Sequence, residues 1–310
     1  MKPNAVTCLL LIFCVMNLFF GCSQRKAAPL PELERAEAVM FDHPDSALRI
    51  LESMPMPTDK EQHALWCLLV TQATYKQMLP ISSDSLIRIA YDYYKPTDDA
   101  RRKAMAALYM GGVNYGLQKI ETATAYYLEA EAEVGKTSDY KLGYLVMSGL
   151  GNLYLYRHLT DYALEVFRKA YDYAVKDSNK RYEMNSLRFM ARYYSIKKDY
   201  DQSIIYYKQA SSIADSILSY NTVKSELAGI YSVIGDYDKA LRLEWEAIGN
   251  NLPTAQSCYG IGVNYMNLYQ YDSAYYYLKR ALNTSNIYTR NGVYQSLLSL
   301  SKRCPQYRDY

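Results

Sequence analysis

Leu227–Ile248, LAGIYSVIGDYDKALRLEWEAI, carries two short amphipathic segments on either side of Gly235-Asp236. The first places Leu227, Ala228 and Tyr231 on one face, at the i, i+1, i+4 spacing of a helix that buries a stripe. The second gathers Ala240, Leu243 and Ala247, with small residues where another helix must come close. Two helices joined by a tight Gly-Asp turn form an antiparallel hairpin. A single hairpin leaves its apolar faces uncovered, so the pattern must recur for the chain to bury them.

It recurs in both directions. Downstream stand Ile261, Gly262 and Tyr265, then Tyr271, Ala274, Leu278 and Ala281. Upstream stand Met190, Ala191, Tyr194, Tyr200, Ser203, Tyr207 and Ala210, preceded by Leu150, Gly151, Tyr154, Ala163, Phe167 and Ala170. The earliest clear copy is Gly112, Tyr115, Ala123, Tyr127 and Ala130. The tyrosines Tyr115, Tyr154, Tyr194, Tyr231 and Tyr265 are separated by 39, 40, 37 and 34 residues. The alanines Ala130, Ala170, Ala210, Ala247 and Ala281 follow at 40, 40, 37 and 34. A small, Tyr, small, aromatic, Ala pattern near 34 residues resembles the tetratricopeptide repeat (TPR), with helices extended by about a turn in the longer copies. The resemblance covers about Met105 to Leu282. It implies an all-α fold, a right-handed α-solenoid of antiparallel helix pairs.

First helices are expected near 97–117, 138–157, 179–197, 218–234 and 253–268, and their partners near 121–134, 160–175, 200–216, 237–249 and 271–283. Before them, Glu32–Phe41 and Ala47–Met54 read as a degenerate helical pair, with Pro44 suited to open its second member. Lys60–Met78 follows, with Leu65, Leu68, Leu69 and Ala73 inward. Ser85–Tyr94 comes next, with a stripe of Leu86, Ile89, Ala90 and Tyr93. Ile287–Arg303 reads as a cap helix of the kind an open stack requires. Residues 32–310 are therefore expected to form one solenoid.

The N-terminus reads as a secretion signal: Lys2, an apolar run of 15 residues over Val6–Phe20, then Gly21-Cys22. That run is short for a membrane span. A Gly-Cys pair after such a run resembles the bacterial lipoprotein cleavage site, departing from it at Phe19-Phe20. The resemblance implies a signal peptide over 1–21, lipid attachment at Cys22, and a mature protein held at a membrane of the bacterial cell envelope, the outer membrane foremost. Ser23–Pro31 is polar and Pro-containing, so residues 22–31 read as a flexible tether.

The formal net charge of +3, with both signs mixed throughout, argues against nucleic acid as partner. Of the cysteines after Cys22, Cys67, Cys258 and Cys304 have no close spacing, so neither a metal site nor a disulfide is expected. His43, His63 and His158 fall in different helical pairs without a second ligand at i+3 or i+4. Glu129, Glu131 and Glu133 spread around a helix, and Gly111-Gly112 lies inside one. Nothing pairs a nucleophile with a base. The chain is read as a non-enzyme with no cofactor and no metal.

Tyrosine is the outlier, at 35 of 310 residues. Packing is the plain explanation, since a solenoid needs half-buried rings with a wet tip. In the TPR superhelix the first helices line the concave side, where extended peptides or helices dock. By that resemblance the partner groove is lined by Tyr109 and Val113, Ser148 and Asn152, Arg188 and Arg192, Ser225 and Gly229, Tyr259 and Val263. Arg188 and Arg192 lie at i, i+4 as one basic spot beside Asn152, suited to a carboxylate or a peptide backbone. The competing reading makes these residues solvated helix polars, paired with Glu or Asp across the groove. The carboxylate clamp of chaperone-binding TPR domains is not reproduced, because Ser148 and Phe189 stand where it needs Lys or Asn.

The function expected is a membrane-anchored, non-catalytic scaffold for a protein or peptide partner. The Tyr richness, the Gly-Cys end and SDSLIRIAYDYYK resemble TPR lipoproteins of Bacteroidetes-type bacteria. Two alternatives are a glycan-binding lipoprotein resembling the starch-utilisation family, and an assembly factor resembling the TPR lipoprotein of outer-membrane β-barrel insertion. The glycan reading needs exposed Trp platforms, whereas Trp66 and Trp245 both sit in helical stripes.

Overall fold

The structure, a computed structural model, describes residues 30–157, 159–214 and 217–308, with the side chains of 160 and 217–219 set aside. The leader over 1–21, Cys22, most of the tether and His158 lie outside the described residues. The described residues are helical, without strands. They fall into two compact units, one within Met1–Ile81 and Ser85–Tyr93, the other Ser82–Asp84 with Tyr94–Tyr310. Among the described residues no helix is long and apolar enough to cross a membrane.

The first unit holds α1 (Pro31–Val39), α2 (Pro44–Ser53), α3 (Lys60–Lys76) and most of α4 (Ser85–Tyr94). Pro31 and Pro44 each occupy a first helical position, where a missing N–H costs nothing. Leu33, Ala36, Met40, Ala47, Leu51, Leu69 and Ala73 form a core between α1, α2 and α3. Trp66 is packed against it and donates from Nε1 to the Leu51 carbonyl at 3.0 Å. The stripe of α4 corrects the sequence reading. Ile87, Ala90, Tyr91 and Tyr94 are buried, while Ile89 faces solvent.

In the second unit the hairpins are α5 (Ala100–Gly116) with α6 (Ile120–Val134), α7 (Tyr140–Tyr156) with α8 (Thr160–Lys176), and α9 (Lys180–Ile196) with α10 (Tyr200–Ser212). They continue as α11 (Ile217–Ile234) with α12 (Tyr237–Ile248) and α13 (Ala255–Asn267) with α14 (Tyr271–Ala281), followed by α15 (Ile287–Arg303). Each second helix packs on its own first helix and on the next one, and each first helix also touches the first helix after it. That nesting covers the face one hairpin leaves bare. Ala163, Phe167, Met190, Ala191, Tyr207, Leu227, Tyr231 and Ala240 belong to one continuous core through α12.

Local chemistry fixes the ends. Asp99, Asp139, Asn179 and Thr254 accept from a backbone N–H three residues on, capping α5, α7, α9 and α13. First helices end in a left-handed residue: Gln118, Lys198, Gly235 and Tyr269 have φ of 62°, 61°, 91° and 63°. The next N–H then reaches back to close the turn, as Asp236 N does to the Tyr231 carbonyl at 2.9 Å. Only Gly235 adopts that conformation without steric cost.

Candidate partner-binding face

Because consecutive first helices touch, their outward residues form one face. From the buried Tyr144 beneath it a polar chain crosses three helices. Tyr144 of α7 is hydrogen-bonded to Ser148 and to Asn185 of α9, and Asn185 Oδ1 accepts from Arg188 Nη1 at 2.9 Å. The Arg188 guanidinium forks onto Glu226 of α11, with Nε 3.2 Å from Oε2 and Nη2 on Oε1. Arg192 donates to the same Oε1. Tyr207 of α10 is hydrogen-bonded to Arg192 from below.

All three members of this ion triad are largely shielded from water. Burial alone would push the Glu226 carboxyl up. The Arg188 hydrogen bond and the two guanidinium charges outweigh it, and the pKa ends below the ordinary Glu value. Two cations on one anion leave one positive charge in excess at this point of the face. Burial pushes the Tyr144 and Tyr207 phenols up, so both stay protonated. The two arginines read as a basic spot are thus paired with Glu226 across the face, as the competing reading expected, but the triad is largely shielded rather than solvated.

The other groove residues are placed differently. Tyr109 is 4% exposed, packed inside and not open on the face. Asn152 donates to the Ser148 carbonyl of its own helix at 2.8 Å. Tyr259, half-buried, lines a cavity of about 210 Å³ together with Ser225, Gly229 and Val263. The residue missed by the sequence reading is Glu244, which lines the same cavity from α12. It is 6% exposed and accepts from Ser225 Oγ at 2.7 Å. Burial pushes its carboxyl above the ordinary value, and the Ser225 and Ser257 hydroxyls offset only part of that.

Many of the tyrosines do the packing expected of them, while Tyr162, Tyr269 and Tyr288 are exposed. Tyr144 stacks on Tyr182 with ring centroids 3.9 Å apart, Tyr265 on Tyr277 at 5.7 Å and Tyr275 on Tyr307 at 4.7 Å. Trp245 meets Tyr277 edge-on at 5.7 Å, so neither tryptophan is a free platform. Cys67 and Cys258 are free and buried, Cys304 free and half-exposed. Among the described residues no three His, Cys, Asp or Glu side chains group as metal ligands. In the first unit a cavity of about 540 Å³ lies under the Pro55-Met56-Pro57 turn, where Glu32 and Arg35 pair with each other at 3.6 Å.

No family model matches the chain, and no curated protein matches it. Solved structures do. The apo form of the quorum sensor NprR from B. thuringiensis superposes with a TM-score of 0.70 at 15% identity, over 89% of this chain and 83% of that one. The fold is TPR-like. NprR with its cognate peptide NprX gives 0.60 at 17% identity over 90% and 85% of the two chains. A Rap protein complexed with Competence and Sporulation Factor gives 0.62 at 11% over 89% and 90%. A STAND protein with a tetratricopeptide repeat sensor from Pyrococcus horikoshii gives 0.57 at 15% over 88% of this chain and 40% of that one. At these identities the TPR-like likeness is one of fold.

Proposed function

We propose that this chain is a non-catalytic scaffold that holds a protein or peptide partner along its first-helix face, tethered to a membrane of the bacterial cell envelope by lipid on Cys22. The observation that carries the reading is the Arg188–Glu226–Arg192 triad, whose excess positive charge sits where Glu226 follows Ser225, a residue that lines the cavity of about 210 Å³. Arg188 spends its fork on Glu226, so what suits a partner carboxylate or a row of peptide carbonyls is the excess charge, with the donors that Arg192 keeps beyond its bond to Glu226. Two of the similar folds, NprR and Rap, have been seen with a peptide or factor bound, which supports the same class of partner. The membrane half of the proposal rests on the sequence alone, the apolar run followed by Gly21-Cys22.

The test is crosslinking recovery of partners from membranes of the producing cell. The charge-reversed triad Arg188→Glu/Arg192→Glu/Glu226→Arg keeps the ion pairs and inverts the excess charge. Loss of the recovered partner with an unchanged melting temperature supports the face, and full recovery removes it. Cys22→Ala separately tests the tether: incorporation of a clickable palmitate analogue is expected to vanish, and its persistence would refute lipidation at Cys22.

A further inference from the structure

Each second helix carries one residue between two small ones, four after the first and three before the second. The sets are Ala123-Tyr127-Ala130, Ala163-Phe167-Ala170, Ser203-Tyr207-Ala210 and Ala274-Leu278-Ala281. In α12 the same register reads Ala240-Glu244-Ala247. Elsewhere the large residue fills the space under the first helices. A Cβ on Gly111 would stand 3.0 Å from Tyr127, on Gly151 2.4 Å from Phe167, and on Gly262 2.8 Å from Leu278. In α11 the register of Gly151 and Gly262 holds Ala228, which lines open space together with Glu244, Gly229 and Gly260, and a Cβ on either glycine would meet nothing within 4 Å. The result is the cavity of about 210 Å³ between α11, α12 and α13.

Its chemistry is one-sided. No Lys, Arg or His is among its described lining residues, and Glu244 is the charged one. The donors to that carboxylate are the hydroxyls of Ser225 and Ser257. Ser225 Oγ spends its proton on Glu244, and Ser232 Oγ spends its proton on Asn264 Oδ1 at 2.6 Å. A hydroxyl whose proton is committed keeps its lone pairs as acceptors. A buried carboxylate without a cation is costly, and a cation supplied from outside would relieve it. An ammonium brings three donors on a compact point charge, which matches the carboxylate and two hydroxyl oxygens. Tyr259, Val263 and Ala228 offer apolar surface for a methylene stem behind it.

We propose that the cavity between α11, α12 and α13 binds a primary ammonium group with Glu244 as its counter-charge, the lysine side chain of the peptide held along the first-helix face. Only the source of the ammonium rests on the peptide-binding reading above, because a small free amine probes the cavity by itself.

Calorimetric titration of the full chain with pentylammonium and with pentanol at matched concentration tests it. Pentylammonium is expected to bind and pentanol to bind at least tenfold more weakly. Glu244→Gln is expected to lower pentylammonium affinity at least tenfold. Gly229→Leu, placed in a helix where the added side chain enters open space, is expected to abolish binding while keeping the fold by circular dichroism. Equal binding of pentylammonium and pentanol, or unchanged binding by Gly229→Leu, overturns the proposal. A second arm uses acetylated, amidated Ala-Ala-Lys-Ala-Ala, its norleucine and arginine counterparts, and the norleucine peptide with a free amino end. Binding by the lysine peptide alone supports the assignment. Binding only through the free amino end, or only by arginine, overturns the lysine occupant. If pentylammonium fails while the charge-reversed triad still loses its partner, the ammonium site falls and the scaffold reading stands.

Discussion

The ring of Phe167 in α8 lies where a side chain on Gly151 in α7 would have to go, 2.4 Å from where its Cβ would stand. This close approach lets second helix and first helix share one layer of packing. Gly151→Ala forces that contact apart in a core that has no slack. Overpacking of this kind costs about 1–3 kcal/mol, against a gain of up to about 1 kcal/mol in helix propensity. Gly229→Ala, on an exposed position with open space, meets no such penalty and gains about 0.5–1 kcal/mol. Urea denaturation of the two variants should move the midpoints in opposite directions. Parallel shifts would show that the ring does not set the helix spacing.

Glu226 makes stability depend on pH in one sense. Its folded pKa is lowered, so the unfolded chain takes up the proton first as pH falls. Its contribution is therefore fully present above the unfolded Glu value of about 4.3 and is lost as pH falls through the lower folded value. Glu226→Gln leaves two neighbouring guanidiniums without their anion and should cost about 2 kcal/mol at pH 7, between the roughly 0–1 kcal/mol of an exposed pair and the roughly 3–5 kcal/mol of a fully buried one. Below pH 4 the gap between wild type and variant should narrow. A gap that is constant from pH 7 to pH 3, in urea midpoints, would mean that the carboxylate charge contributes nothing there.

The turns give a backbone prediction. Gln118 and Lys198 sit left-handed where Gly235 does, and a side chain there carries strain of about 1 kcal/mol. Gln118→Gly and Lys198→Gly should each stabilise by about 0.5 kcal/mol once the added freedom of the unfolded chain is subtracted, and Gly235→Ala should destabilise by about 1 kcal/mol. Thermal melts of the three variants check both signs together.

Much of this fold is legible in the sequence, because a repeat states its register five times over. Helix ends agree with the reading within a few residues, the largest slip being α10, which ends at Ser212 where 216 was expected. What fails has a common cause. SLIRIAYDYY satisfies helical spacing with either Leu86-Ile89-Ala90-Tyr93 or Ile87-Ala90-Tyr91-Tyr94, and only the neighbours decide that the second set turns inward. Tyr109 looked like a groove residue by offset from a glycine, yet the crowded α5 buries every residue from Ala104 to Asn114. In α12 hydrophobicity favoured Leu243, which is half-buried, over Glu244. The register of Tyr127, Phe167 and Tyr207 pointed to Glu244, and a charged residue at a core position was the available signal. Arg188 and Glu226 pair across 38 residues, one repeat apart, a distance that no local pattern reports.

Glu244 makes stability depend on pH in the opposite sense to Glu226. Its folded pKa is raised by burial, so the native state holds a proton at pH values where the unfolded chain has released it. Stability from this residue is therefore present below about pH 4.3 and is lost as pH rises through the raised folded value. Above that raised value the native chain carries a buried charge whose described partners are hydroxyls. Glu244→Leu places in α12 the residue type that Leu278 supplies in α14, and it removes that charge while filling part of the cavity. The variant should be more stable than wild type by about 1–2 kcal/mol at pH 7, in line with other replacements of buried charge by apolar side chains. At pH 4 the advantage should shrink, because wild-type Glu244 is then largely protonated. Urea midpoints at the two pH values decide it. A variant that is weaker than wild type at pH 7, or an advantage that does not change with pH, would mean that Glu244 is already matched by a charge inside the protein and has no need of one from a partner.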